Sequence, residues 1–382
     1  MKLLISYGHL SPSSSITIGY PDLTPTTPIS ICQAYSPATY SAMNADTNKC
    51  KNYAHAISNT AIAPSDTLVD LGCGASALLA TQIIQKHNRC IAVEVNKTAA
   101  NLAERLLRDK FPASPFTVIH GEANSPQLLG ALAKNPSSTI KIFHEIFGFL
   151  ISSEGIAQVS RALHASLPGR NIVFIPGRAA SLCVPISLPP KAIPTNCLFP
   201  NPQSILIPNA KLDIKALCIT NQHHTLESYD FNTPSLSPPH HILSSDLTVT
   251  KAGPLNALGC YIHIDFGPAH AGHRFTNNSS IPSLFPTQSP RGPSINSLHG
   301  DPHCGSNWHN LAIILHDQPP LTPGDIVRIS TTVTTTTTPI YLFRVTTLRD
   351  DRELHSELVT LSLQDLYTNY DTLSYTHNPP PH

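Results

Sequence analysis

No excess of charge of either sign marks this 382-residue chain: Lys and Arg together number 24, and so do Asp and Glu. A protein held by nucleic-acid phosphates needs a positive field, and a solvating tail needs an acidic run. Neither is present, so nucleic acid is not an expected partner. No stretch approaches the roughly 20 consecutive apolar residues of a membrane span, so no membrane is expected either. Met1 to Ser6 begins like a secretion signal, but its apolar run stops at Tyr7-Gly8-His9, before a signal core forms. The nine Cys contain no C-x-x-C pair, and an odd number does not complete a disulfide framework. Reduced thiols in a cytoplasmic enzyme are the expectation. The 20 His are scattered, and no metal is expected. Pro is abundant, at 36 residues, and the second half is rich in Ser, Thr and His. That composition suits loops and strands better than long helices. The length is sufficient for two domains.

Residues 1–30 alternate Pro, Ser and Thr with apolar residues and read as an extended leader. From Tyr40 to Ile57 a stretch without Pro permits a helix. Strand and helix signals then alternate. Thr67–Asp70, Cys90–Val93, Phe116–Ile119 and Ile140–Phe143 read as strands, and Ser76–His87 and Lys97–Lys110 as helices. This alternation predicts parallel βαβ units. After Arg178 the helical pattern fades. Ser181–Val184, Gly259–Ile264, Leu311–Leu315, Ile326–Ile329 and Ile340–Phe343 read as strands separated by turns, as in an antiparallel sheet or barrel. The Thr run at 334–338 suits either coil or an edge strand.

Val69-Asp70-Leu71-Gly72-Cys73-Gly74 is the first segment that carries chemistry. Glycines just beyond a strand let the backbone pass close to a bound nucleoside, where a Cβ would collide. A structural turn uses the same residues, so the neighbours matter. Glu94 follows Gly74 by 20 residues at the tip of the next strand, where a carboxylate can accept hydrogen bonds from both ribose hydroxyls. Gly121-Glu122-Ala123-Asn124 follows the third strand, where adenine would lie. Ser76 stands where a third Gly would complete the phosphate-binding pattern, which fits a ligand without phosphates. The segment resembles the first motif of the class I methyltransferases.

The fourth strand runs into His144-Glu145-Ile146-Phe147-Gly148-Phe149-Leu150-Ile151-Ser152-Ser153-Glu154-Gly155. Two Glu nine residues apart stand at the C-terminal edge of a parallel sheet, where α/β enzymes bind substrates. One surface Glu and one helix-capping Glu would give the same spacing. The segment resembles the double-Glu loop of the protein arginine methyltransferases, with that family's spacing. The chemistry agrees with the resemblance. A guanidinium stays protonated at biological pH, and two carboxylates can grip it bidentately and aim one nitrogen.

The resemblance extends upstream, where Tyr40 to Lys49 and Tyr53 are similar to the family's helix over the cofactor, with Met43, Asp46 and Tyr53 matched. Lys49 stands where the family has Arg, a point charge in place of a fork. Downstream, Leu167 to Arg178 resembles the linker into the family's barrel. Ser306-Asn307-Trp308 resembles its Thr-His-Trp loop, with Asn307 replacing His, and Pro323 to Arg328 resembles a late barrel turn. It covers about residues 40–345.

What the resemblance implies is a Rossmann-like class I methyltransferase domain over 31–178, followed by an antiparallel β-barrel domain over 179–382. The barrel would carry a dimerisation arm at about 187–225 and a Pro-rich loop at about 273–302. S-adenosyl-L-methionine would be held by Lys49, Asp70, Gly72, Gly74, Glu94, Ala123 and Asn124. Glu145 and Glu154 would hold the guanidinium, with Tyr40, Met43, Asp46 and Trp308 on the substrate side. The substrate would be arginine in a protein or peptide, in a homodimeric enzyme. Free L-arginine or another small guanidino compound is the alternative, and an inactive homologue acting as a binding partner is a second.

Overall fold

Short apolar segments between helices build the first half of the chain. The computed structural model describes residues 28–35, 40, 43–44, 47–134, 139–189, 204–207, 214–233, 239–266, 294–296, 310–316, 318–336 and 338–362. Nearly all of the expected leader, Asp46, Trp308 and most of the Pro-rich loop lie outside the described residues. Strands β1 (Thr67–Leu71), β2 (Cys90–Glu94), β3 (Phe116–His120), β4 (Ile140–His144) and β5 (Ile172–Ile175) form one parallel sheet, ordered β3-β2-β1-β4-β5. Its central strands β1 and β4 are buried almost throughout. Burial on both faces suits the apolar residues that predominate there, Leu68, Val69 and Leu71 in β1 and Ile140, Ile142 and Phe143 in β4. Helices of this half are α1 (Pro28–Ala34), α2 (Thr47–Asn59), α3 (Leu78–His87), α4 (Lys97–Lys110), α5 (Pro126–Ala133) and α6 (Ile156–Ser166). Helix α4 buries Ala99, Ala100, Ala103 and Leu107, the helical spacing of one face. Strand order reverses at β1, so a crevice opens beyond the C-terminal ends of β1 and β4.

The second half is antiparallel. Strands β6 (Arg178–Ile186), β7 (Ser204–Ile207), β8 (His224–Asp230), β9 (His240–Thr248), β10 (Gly253–Pro254), β11 (Ala257–Asp265), β12 (Ser294–Asn296), β13 (Asn310–Ile314), β14 (Pro320–Leu321), β15 (Ile326–Thr334), β16 (Ile340–Arg349) and β17 (Arg352–Ser362) follow in chain order. One sheet runs β7-β13-β11-β6-β8, with β12 on β11, and another runs β17-β16-β15-β9. Leu258 and Cys260 of β11 pack with Val327, Ile329, Tyr341 and Phe343 of the facing sheet. Ile262, Ile264, Tyr229 and Phe231 instead join the core under the parallel sheet. One apolar core therefore spans both halves, and the strands change from parallel to antiparallel at Arg178.

Several elements differ from the sequence reading. Ile172–Ile175, read as linker, is the fifth parallel strand, paired with β4. Strands β8, β9 and β17 have no apolar signature of their own; β9 alternates exposed and half-buried residues along most of its length. Of the described residues of the Thr run only Thr334 belongs to a strand; Thr335, Thr336 and Thr338 lie outside any strand, as coil would. β15 continues through Thr334 between β16 and β9, and the chain turns only after it. Ser204–Ile207, expected in an arm reaching for a second subunit, pairs with β13 of its own chain, Ile205 opposite Ala312. Among the described residues no helix is long and apolar enough to cross a membrane.

Candidate active site

A cavity of about 380 Å³ opens at the strand-order reversal, within the size range of small-molecule sites. β1 ends at Leu71, and Gly72 and Gly74 follow with φ of +77° and +63°. L-residues avoid that region. Space forbids a side chain as well: a Cβ on Gly72 would overlap Ile146 Cγ2, and one on Gly74 would lie 3.0 Å from Tyr40 Cδ1. The amides of Gly72 and Cys73 both donate to Val93 O, at 2.9 and 3.0 Å, which fixes the turn against β2.

Glu94 closes β2 and is buried. Its Oε2 accepts from Gly74 N and its Oε1 from Asn96 N, each at 2.8 Å. Burial raises its pKa above the usual carboxylate range, opposed by the amides of Asn96, Gly74 and Val95 and by the Tyr40 hydroxyl. An ionised carboxylate has about four acceptor positions, so capacity remains for further hydroxyls. Asn96 has two tasks. Its side chain caps α4 by accepting from Ala99 N at 3.0 Å, while Nδ2 donates to Gln33 O and Tyr35 O at 2.9 and 3.2 Å. The N-terminal helix is thereby tied to the tip of β2.

Of the residues expected to hold the cofactor, Lys49, Gly72, Gly74, Glu94, Ala123 and Asn124 all line this cavity. Asp70 is not among the lining residues. It is fully buried behind the glycine turn, where Oδ2 accepts from Ala80 N at 2.7 Å and Oδ1 has no partner. Its place is the first turn of α3, so it shapes the loop from behind. Burial pushes its carboxyl from 3.8 up to about 8. Stability from the neutral form is therefore fully present below the ordinary value and is lost as pH rises through about 8. Asp70→Asn keeps the Ala80 bond. We expect it to raise the melting temperature at pH 9 and not at pH 4, leaving ligand affinity within about threefold. Equal shifts at both pH values in thermal melts would sink this account.

Glu145 and Glu154 reach the same cavity, as do Tyr40 and Met43. Glu145 follows β4 directly. Tyr53, fully buried in α2, holds the preceding carbonyl, donating from its hydroxyl to His144 O at 2.7 Å. The His144 ring sits among Phe147, Phe174 and Phe231, and burial lowers its pKa to about 4, so it is neutral at pH 7. The Glu145 carboxylate forms an ion pair with Lys49, whose side chain is 3% exposed. Glu154 ends a single 3₁₀ turn, Ile151–Glu154, and Gly155 at φ +93° reverses the chain into α6. Its Oε1 accepts from the Tyr35 hydroxyl at 2.5 Å. Burial raises the Glu154 carboxyl to about 7; Tyr35 and Lys49 oppose the rise, and the charges of Glu145 and Glu94 add to it. Tyr35 and Asn96 were not legible as site residues, since neither stands in a motif. Asp46 and Trp308 lie outside the described residues. Among the described residues no group of three or more His, Cys, Asp or Glu could hold a metal.

A doubly wound parallel sheet with a glycine turn and a carboxylate on adjacent strand tips defines a Rossmann-like domain, here joined to an antiparallel β-barrel-like domain. Comparison with solved structures gives that architecture a more particular form, the protein arginine methyltransferase fold. The structure of Arabidopsis thaliana protein arginine methyltransferase 10 matches with a TM-score of 0.65 at 14% identity, covering 87% of this chain and 99% of that one. The Trypanosoma brucei PRMT1 enzyme–prozyme heterotetrameric complex with AdoHcy matches with a TM-score of 0.61 at 14% identity, covering 84% and 97%. No family model and no curated protein matches the sequence.

Proposed function

We propose that this chain is an S-adenosyl-L-methionine-dependent N-methyltransferase whose acceptor is a guanidino nitrogen of arginine in a protein or peptide. The observation that carries the reading is the convergence of Glu145 and Glu154 on one cavity with a buried cation, Lys49, already against Glu145. A carboxylate that already pairs with a buried ammonium ion, with a second carboxylate on the same cavity, offers the acceptors that a guanidinium's N–H groups need. The fit of the cofactor rests on the glycine turn, whose backbone leaves room that a Cβ would fill, and on the paired acceptor oxygens of Glu94.

In this reading Glu94 accepts the ribose hydroxyls, Ala123 and Asn124 flank the adenine, and Lys49 faces the methionyl carboxylate. Bound there, the cofactor supplies an electrophilic methyl group on a sulfonium. Glu145 and Glu154 accept N–H bonds from the guanidinium and hold one nitrogen in line. N-methylation leaves one proton to dispose of, because the product guanidinium remains a cation. Glu154, raised to about 7, receives that proton at its carboxylate.

The acid limb of kcat/KM should therefore fall as pH drops through about 7, with a slope of about one proton. In kcat the limb should lie lower, since a bound cation keeps Glu154 ionised. Tyr35→Phe removes a hydroxyl that lowers this pKa, so the kcat/KM limb should move upward. A limb that stays put in the variant counts against Glu154 as the titrating group. The reading itself is tested by mass spectrometry of labelled methyl transfer, offering arginine-rich peptides and free L-arginine together. Label on neither overturns it, and label on free arginine alone assigns the small-molecule substrate. A homodimer, expected from the arm at about 187–225, is part of the proposal. Light scattering at micromolar concentration should give twice the chain mass, and a monomer removes the arm from the argument.

A further inference from the structure

Glu227 lies in β8, in the barrel, and is fully buried. Five donors close over its carboxylate, the most distant being the Tyr341 hydroxyl at 3.4 Å from Oε1. Oε1 accepts from Ser181 Oγ at 2.6 Å and from Ser152 N at 3.2 Å; Oε2 accepts from Ser152 Oγ at 2.6 Å and from Tyr229 Oη at 2.9 Å. Tyr341 Oη, from β16, lies 2.6 Å from Ser152 Oγ. Ser181 Oγ in turn accepts from Ile151 N at 2.8 Å. From this cluster the bonds to the first half of the chain go to Ile151 and Ser152, the first two residues of the turn that ends at Glu154.

The energetics argue against a purely stabilising role. A buried carboxylate held by neutral donors loses most of its hydration, and an apolar side chain of similar size is often as stable or more so. The turn also needs help. A single 3₁₀ turn has few bonds of its own, here Ser153 N to Leu150 O and Gly155 N to Ser152 O, both 3.0 Å, and Ser153 Oγ to Leu150 O at 2.7 Å. Its orientation is therefore set by what it is fastened to.

We propose that Glu227 is a positioning residue for Glu154: from inside the barrel it fastens Ile151 and Ser152, so that the carboxylate two residues on is presented to the cavity. This rests on the reading of Glu154 as one arm of the guanidinium grip. A displacement of about 1 Å at such a group can lower turnover about 100-fold.

The test uses the full chain with Glu227→Gln, Ser152→Ala and the double variant. Hydrogen exchange without ligand should be faster by about tenfold or more in peptides covering 150–155 of Glu227→Gln, and unchanged over β1 and β2. Turnover should fall by about 30-fold or more in each single variant with S-adenosylhomocysteine affinity within about threefold, and the double variant should be no worse than the poorer single one. Unchanged exchange over 150–155 overturns the proposal, and so does exchange that rises equally throughout both domains. Additive losses of turnover overturn it too. If Glu227→Gln does not fold, Ser152→Ala, which leaves the carboxylate bonded within the barrel, carries the same exchange and turnover expectations. A wild type inactive on every guanidino substrate defeats the reading of Glu154, while the exchange result still decides whether Glu227 holds the turn.

Discussion

Glu145→Gln and Glu154→Gln should each lower kcat on a guanidino substrate by about 100-fold or more, with S-adenosylhomocysteine affinity within about threefold. Each substitution keeps the shape and removes the charge. It also turns an N–H donor toward a guanidinium that has only donors, so one hydrogen bond becomes a conflict. The two variants should differ in stability. Glu145→Gln removes the carboxylate that forms an ion pair with Lys49, 3% exposed, and should melt lower. Glu154 is the opposite case. Its folded pKa, about 7, lies above the ordinary 4.5, so stability is fully present below the ordinary value and is lost as pH rises through about 7. Glu154→Gln does not titrate and should melt higher than wild type at pH 8, with little difference at pH 4. Near-normal turnover of both variants would end the arginine reading and leave the nucleoside site untouched.

Glu94→Ala should weaken S-adenosylhomocysteine binding by about tenfold or more in calorimetry. Two losses act together. Ribose hydroxyls lose a charged acceptor, and the amides of Gly74 and Asn96 lose the oxygens that hold them. The second loss loosens the glycine turn even without ligand, so the apo protein should also melt lower. Glu94→Gln retains one carbonyl acceptor and should fall between the two. Unchanged affinity in the Ala variant would place Glu94 outside the site.

The parts legible in the sequence are those whose cause is local. Strand Cys90–Glu94 is a run of residues buried by their neighbours, and Lys97–Lys110 has its apolar face at helical spacing and its own cap. The glycine turn and the two Glu announce themselves because backbone freedom and charge at a strand tip leave few alternatives. Asp70 sits in the same motif yet faces away from the cavity, since alternate residues of a strand point to opposite faces and a motif does not state which. Tyr35 and Glu227 were invisible for another reason: their bonds to Glu154 and Ser152 span 119 and 75 residues. The polar strands β9 and β17 form because neighbours supply their pairing partners, not because their own residues demand it.

The bond between Ser152 and Tyr341 joins residues 189 apart, and this sets an order of events during synthesis. The five strands of the parallel sheet have all left the ribosome once Ile175 has emerged. The turn before Glu154 must wait for Ser181, then Glu227, and last for Tyr341. Domains usually fold as they emerge, N-terminal first. All five strands behind the glycine turn are therefore out long before the turn that carries Glu154 has its last fastening, and on the proposed reading a ribosome stalled between those points would carry the Glu94 half of the site without a fixed Glu154.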